Sequence, residues 1–212
     1  MLHPNVKIAK SKISGIGLHA NIFLPKGTII WHPCRDCTYF SEQDLNLFKQ
    51  YSPVIYRWLD EYGYYLSNGS LVLKCRQGFL FNHSCQANVL DYGLDFGVTI
   101  RSIEKDEELV CDYRTYSDGP AWSIQCQCST SNCCGLLQSE QGKSRALRNR
   151  WRQCVEATLD QIKAVEQPLH QSLSACSSIY PLLLNNPDQF FWQEEITVQN
   201  PSFLKLKTQE ML

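Results

Sequence analysis

Four cysteines fall within nine residues of the stretch QCQCSTSNCCG: Cys126, Cys128, Cys133 and Cys134. Thiolates at this spacing suit zinc, which takes four sulfur or nitrogen donors in a tetrahedron. Cys126, Cys128 and Cys133 are well spaced for one ion. Cys134 follows Cys133 directly, and two adjacent thiolates on one ion strain the backbone between them. The fourth donor is therefore either Cys134, at that cost, or a residue from elsewhere in the chain. In an exported domain the same cysteines would be read as a disulfide framework.

Three further patterns could do chemistry. Ser14-Gly15-Ile16-Gly17-Leu18 contains a G-x-G, which lets backbone approach a ligand closely or simply marks a strand with two tight positions. Phe81-Asn82-His83-Ser84-Cys85-Gln86-Ala87-Asn88 offers an imidazole, a thiol and an amide that both donates and accepts. Glu104-Lys105-Asp106-Glu107-Glu108-Leu109-Val110-Cys111-Asp112-Tyr113 ends in an acid and a phenol. Taken alone, His83 reads as a structural histidine and Tyr113 as a half-buried strand tyrosine. The order of the patterns carries more than any one of them.

The elements that must position these residues are mostly strands. Val6, Ile8, Ile16 and Leu18 alternate with polar residues. Pro25-Lys26-Gly27 reads as a turn before a strand-forming run at 28–31. Ser41 and Asp44 read as the start of a helix carrying Leu45, Phe48 and Tyr51, with Pro53 interrupting it or starting another that reaches Tyr62. Asn68-Gly69 favours φ > 0 at both turn positions and predicts a hairpin between 64–66 and 71–73. Further strands are expected at 88–91, 97–103 and 108–113. After the cysteines, Leu147, Trp151, Val155, Leu159 and Ile162 recur at helical spacing, which predicts one helix over 143–166 that ends before Pro168. Another helix is expected near 173–184, followed by a polar segment.

The 212 residues suit one domain with an appendage or two small domains. With 43% hydrophobic and 19% charged residues, there is material for a core and no expectation of global disorder. A formal net charge of −1 gives no overall attraction to nucleic acid or membranes. Residues 1–15 lack the apolar core of a signal peptide, and no apolar run is long enough to span a membrane. Eleven cysteines without an export signal predict a reducing intracellular compartment, cytoplasm or nucleus, where such clusters more often bind metal. Cys34 and Cys37, near His32, could form a second metal site, but no fourth partner is visible and they read more readily as ordinary free thiols.

In this order, "SGIGL", "FNHSCQAN", "EKDEELVCDY" and the cysteine cluster resemble the SET-domain protein lysine methyltransferases with a post-SET zinc segment. The resemblance covers roughly residues 5–137. It implies a mainly β SET fold with a knot-like crossing and short helices over 5–119, a post-SET zinc segment over 120–137 and a helical C-terminal extension over 138–212. It implies S-adenosylmethionine as methyl donor and a protein lysine as acceptor. Ser14, Gly15, Ile16 and Gly17 would then supply backbone near the cofactor, Asn82 and His83 would hold its amino group and adenine, and Tyr113 would be the catalytic tyrosine. Tyr64 is expected as a second catalytic and cofactor-side tyrosine, with Tyr65 as the alternative. Trp122 either covers the adenine or packs the post-SET segment. The structural zinc would be held by Cys85, Cys126, Cys128 and Cys133, with Cys134 set aside. The rival reading is a catalytically inactive, zinc-stapled module of the same fold that docks partners.

The sequence departs from the family pattern in three places. Ala87 stands where proline is usual, and Phe79-Leu80 where an Arg-Phe pair is common. Cys111 stands where a ring commonly limits methyl accumulation. Basic residues Lys143, Arg145, Arg148, Arg150 and Arg152 open the predicted C-terminal helix. They read as a solvated face or, more sharply, as a contact for a partner or nucleic acid. Asp91, Asp95, Asp106, Glu107, Glu108 and Asp118 are expected near the channel, where they would steer a basic tail such as a histone's. Because a thiol is smaller than an aromatic ring, Cys111 predicts di- or trimethyl product. Mass spectrometry after long reaction tests this, and monomethyl product alone would contradict it.

Overall fold

Apolar runs this short, broken by glycine and proline, cannot build long strands. The computed structural model describes residues 1–185 apart from 67, 76, 117 and 118. Asp118 and the polar segment beyond Asn185 lie outside the described residues.

Three small sheets form the body. The first runs in the order β1 (Val6–Lys10), β2 (Ile16–Ala20), β10 (Glu108–Cys111), β7 (Asn82–His83). The second has the order β3 (Ile29–Trp31), β9 (Gly97–Thr99), β8 (Val89–Leu90). The third has β4 (Thr38–Phe40), β6 (Leu71–Leu73), β5 (Tyr64–Tyr65). A separate two-stranded ribbon, β11 (Ser123–Gln125) with β12 (Leu136–Gln138), flanks the cysteine cluster. Most pairings are antiparallel. The exception is β7 with β10, which run parallel with Asn82 opposite Val110 and His83 opposite Cys111. Two distant motifs are thereby set side by side.

Helix α1 (Glu42–Tyr51) begins as expected. Ser41 and Asp44 form a reciprocal capping box, satisfying backbone donors that the first turn leaves free. Pro53 does not interrupt a helix; it starts α2 (Pro53–Tyr62), where its missing N–H costs nothing. The hairpin β5–β6 also forms, but with positive φ at Gly69 only. The Leu66 N–H donates to the Ser70 carbonyl and the Gly69 N–H to the Leu66 carbonyl, a different closure from a two-residue Asn-Gly turn.

The predicted helix over 143–166 is broken. Residues Ser139–Lys143 form a 3-10 turn, and α3 (Arg145–Glu156) and α4 (Leu159–Ala164) follow separately. The cause is Thr158, whose hydroxyl donates to the Cys154 carbonyl at 2.8 Å while its N–H turns to Val155 at 2.8 Å. A β-branched residue bonding back to the preceding turn competes with helix continuation. The region 173–184 likewise holds two short helices, α5 (His170–Cys176) and α6 (Tyr180–Asn185).

Two main cores result. One draws on all three sheets and includes Leu18, Ile30, Val72, Phe81, Leu109 and Cys111. The other is shared: Ile29, Leu90, Phe96 and Val98 of the second sheet and its flanks meet Trp151, Val155, Ile162, Leu173 and Leu183 of the extension. The helical extension is thus a cover that buries one sheet face. Its seal at the 25–27 turn is tight. Gly27 has φ +93°, and an added Cβ would lie 2.6 Å from the Gln161 backbone carbon. Gly27→Ala therefore combines left-handed strain with overpacking and is expected to cost about 2–4 kcal/mol. Chemical denaturation checks this, with the loss falling on the extension's packing.

Candidate functional site

The residues following β10 are held by a buried carboxylate. Asp112 Oδ1 accepts from the Arg114 N–H at 3.1 Å and from its Nε at 2.8 Å. Its Oδ2 accepts from an Arg114 terminal nitrogen at 2.7 Å and from Trp151 Nε1 at 3.1 Å. Such bidentate pairs are geometrically specific. Tyr113 lies between the two partners. Its N–H donates to His83 Nδ1 at 3.1 Å, and its hydroxyl donates to the Phe81 carbonyl at 2.6 Å. Burial, then the nearby Cys111 and Glu108, push the phenol well above its ordinary value. At neutral pH Tyr113 is therefore a proton donor, not a base.

His83 is buried, and desolvation takes its pKa down to about 4 against the pull of Asp112. Because Nδ1 accepts the Tyr113 N–H, the ring proton sits on Nε2, which faces Cys85 Sγ at 3.4 Å. Asn82 points the other way, across the sheet. Its Nδ2 donates to the carbonyls of Ser14 at 3.2 Å and Ile16 at 3.1 Å and to Glu108 Oε1 at 2.8 Å. Gly17 is where this network allows no side chain: an added Cβ would lie 2.2 Å from Glu108 Oε1 and 2.9 Å from Asn82 Nδ2.

Two cavities meet at Tyr113. One, of about 370 Å³, is lined by Ser14, Gly15, Ile16, Asn82, His83 and Tyr113. The other, of about 330 Å³, is lined by Tyr64, Lys74, Cys111, Tyr113, Tyr116 and Trp122, with Asp60 and Glu61 among the remaining walls. Phe79, Phe81, Tyr62 and Ile124 also line both. Of the expected cofactor-side residues, Gly17 lies beneath the network and off the first cavity's lining. Tyr64 and Trp122 belong to the second cavity. The Trp122 ring packs against the cysteine cluster and its Nε1 donates to the Tyr116 carbonyl at 3.2 Å. The Tyr64 hydroxyl is buried with no hydrogen-bond partner among the described residues. Tyr65 is instead committed to Asp60, 2.7 Å away.

Sequence reasoning missed Lys74. Its side chain ends inside the protein, 4.3 Å from the ring centre of Trp31, 4.9 Å from Tyr116, 5.2 Å from Tyr64 and 5.6 Å from Phe81. Its Nζ donates to the Tyr116 hydroxyl at 3.1 Å, which in turn donates to Asp91 at 2.9 Å. Burial raises the Asp91 pKa, with Lys74 pulling it down. A lysine ending a strand usually faces water, so no pattern in the sequence singles it out. Cys111 adjoins this cage, and burial moves its thiol up to about 12.

The expected acidic rim is placed elsewhere. Asp91 is buried behind Tyr116, Asp95 accepts from Ser177 and Ser178, Asp106 pairs with Lys7 and Glu107 with Arg101. Among the described residues, the acids lining the second cavity are Asp60 and Glu61, at the end of α2, and Glu61 lines the first as well. On the basic helix, Arg152 pairs with Glu156 and Arg148 donates to the Gly142 carbonyl, the behaviour of a solvated face.

The cysteines converge as well. One ligand atom each from His83, Cys85, Cys126 and Cys128 lies within 4.8 Å of the others. The Cys85 and Cys126 sulfurs are 3.9 Å apart, close to the roughly 3.8 Å edge of a tetrahedron with Zn–S near 2.3 Å. Cys133 lies outside that group but packs on the same cluster, and its sulfur accepts the Gly135 N–H at 3.5 Å. Cys134 is exposed, and its N–H donates to Cys85 Sγ at 3.4 Å. The donors suit a thiophilic ion such as zinc.

Removing the Asp112 carboxylate leaves a buried guanidinium unpaired. Asp112→Ala is expected to cost about 3–5 kcal/mol, and thermal unfolding measures it. A loss under 1 kcal/mol would show that Asp112 does not anchor this loop.

The sequence model of the SET domain family matches residues 15–114. No curated protein matches the chain. Among solved structures, a candidate histone methyltransferase of Plasmodium falciparum aligns at 22% identity and TM-score 0.39, over 53% of this chain and 95% of its own. The methyltransferase domain of the human histone-lysine N-methyltransferase SETMAR aligns at 18% identity and TM-score 0.42, over 65% of this chain and 58% of its own. The chain thus spans little more than half of that second structure. Residues 15–114 carry the SET domain match, and the mostly β architecture with short helices is the SET fold, followed by C-terminal helices.

Proposed function

We propose that the protein transfers a methyl group from S-adenosylmethionine to the side-chain amine of a protein lysine. The observation that carries this reading is the meeting of two cavities of different character at one buried tyrosine. The cavity beside Ser14–Ile16, Asn82 and His83 has the volume and mixed polar lining of a small-molecule site. There the cofactor would supply an electrophilic methyl on a sulfonium sulfur. Asn82 holds the Ser14 and Ile16 carbonyls in place, so the glycine turn is positioned before any ligand arrives.

The second cavity, rich in aromatic residues, receives the lysine. A lysine with pKa about 10.4 needs roughly 4–5 kcal/mol to lose its proton at pH 7. Two features of the chain lower that cost. The cavity is largely apolar, and Lys74 already places an ammonium in its wall. Both disfavour a second charged amine. The Tyr113 hydroxyl and the Phe81 carbonyl then align the neutral amine toward the first cavity. The unpartnered Tyr64 hydroxyl offers one more hydrogen bond to it. Asp60 and Glu61 favour a basic protein segment, a histone tail among them.

Structural zinc, in this reading, is held by Cys85, Cys126, Cys128 and Cys133. His83 faces Cys85 with the proton-bearing nitrogen, which suits a donor to a bound thiolate better than a ligand. The ion would tie the segment 120–137 to the Asn-His motif of the catalytic unit 5–119.

Tritiated-methyl transfer onto histones and a cell lysate tests the activity, with cofactor binding read by calorimetry. Tyr113→Phe removes the hydroxyl oxygen that accepts from and aligns the amine, and is expected to lower the rate about 10²-fold with cofactor affinity kept. Full activity in that variant would remove Tyr113 from the chemistry. Absence of cofactor binding in the parent protein would favour the inactive docking module.

A further inference from the structure

A second group of thiols lies apart from the first. Cys34 and Cys37 belong to the turn after β3, closed by a Cys37 N–H donating to the Cys34 carbonyl at 3.0 Å. Cys75 follows Lys74 at the end of β6, and its sulfur is 3.3 Å from that of Cys34. The sulfurs of Cys34, Cys37 and Cys75 all lie within 4.8 Å of one another. Cys34 and Cys37 are buried at 4% and 1% exposure. None of the three is in a disulfide.

We propose that Cys34, Cys37 and Cys75 hold a second zinc ion, with Cys176 as the fourth ligand. Three thiols turned toward one another in a core gain little as weak hydrogen-bond partners. A disulfide would join only two of them. A tetrahedral ion engages all three, and sulfurs about 3.8 Å apart require only a small opening from the 3.3 Å contact. The Cys34 N–H already points at Cys37 Sγ, 3.4 Å away, as a backbone donor to a metal-bound thiolate would. Three soft donors select zinc over calcium or magnesium. Cys176, at the end of α5, packs against the cluster that contains Cys34 and Cys37. Helix α5 is held close by a second contact, His32 Nε2 to Ser172 Oγ at 2.9 Å. The ion would fasten three pieces distant in sequence: the turn after β3, the strand end that presents Lys74, and the helical extension.

Elemental analysis of protein purified under reducing conditions without added metal tests the proposal. Two zinc ions per chain are expected, falling to one in Cys75→Ser and to one in Cys126→Ser, each variant removing a different ion. The wild-type stoichiometry stands as a test even where a variant fails to fold. A wild-type chain with one zinc, lost in Cys126→Ser and kept in Cys75→Ser, would overturn the second site. So would copper in its place, or recovery of a Cys34–Cys75 disulfide by mass spectrometry of the unreduced protein. Competition with a chelator assigns the fourth ligand: Cys176→Ser is expected to weaken the second ion at least about tenfold, and unchanged retention would exclude Cys176.

Discussion

The site depends on a carboxylate that never touches a ligand cavity. Asp112 is buried, and its two oxygens are shared between Arg114 on its own loop and Trp151 on the C-terminal extension. An ionised acid in such a place is tolerable only when every lone-pair direction is used. Satisfying it dictates where the chain goes after β10. Tyr113 is then carried into position by backbone geometry, with its N–H on His83 and its hydroxyl on Phe81. The parallel pairing of β7 with β10 supplies the other half of the constraint, because it puts Asn82 and His83 next to the strand that delivers Tyr113.

Electrostatics divide the two cavities. The first has amide, imidazole and backbone groups already engaged with one another, so its shape is set before a ligand arrives. The second is defined by rings, and Lys74, the cation on its lining among the described residues, is stabilised by four of them and by the Tyr116–Asp91 relay. An ammonium buried among aromatic faces is stabilised electrostatically without a direct carboxylate contact. The cavity wall is therefore positive at Lys74, while Asp60 and Glu61, at the end of α2, put acids on the same lining.

Much of this was legible in the sequence, and for identifiable reasons. The turn residues at 25–27, the Ser41–Asp44 cap and the Asn68-Gly69 hairpin are local signals, and each forms the expected kind of element. The motifs around Asn82 and Tyr113 combine residue type and spacing, and the fold brings them together. What failed to show depends on distance in sequence. Cys75 meets Cys34 across 41 residues and Trp151 meets Asp112 across 39, and no local pattern encodes either contact. The helix over 143–166 has an unbroken apolar stripe, yet one threonine hydroxyl turning back on Cys154 divides it. The acidic residues lie close in sequence to the motifs, yet the pleat and the turns send Asp91, Asp95, Asp106 and Glu107 to other partners.

The bond from Trp151 to Asp112 also bears on how the protein is made. During synthesis, every strand of the main sheets has left the ribosome well before residue 151 emerges. Until then the Asp112–Arg114 pair has an open side, and the second sheet's apolar face lacks the helices that cover it. Non-local contacts of this kind form late and slowly. The nascent chain therefore spends an interval with the Asp112–Arg114 loop built but unlatched and one sheet face wet, which is when a chaperone or a protease would have most to bind.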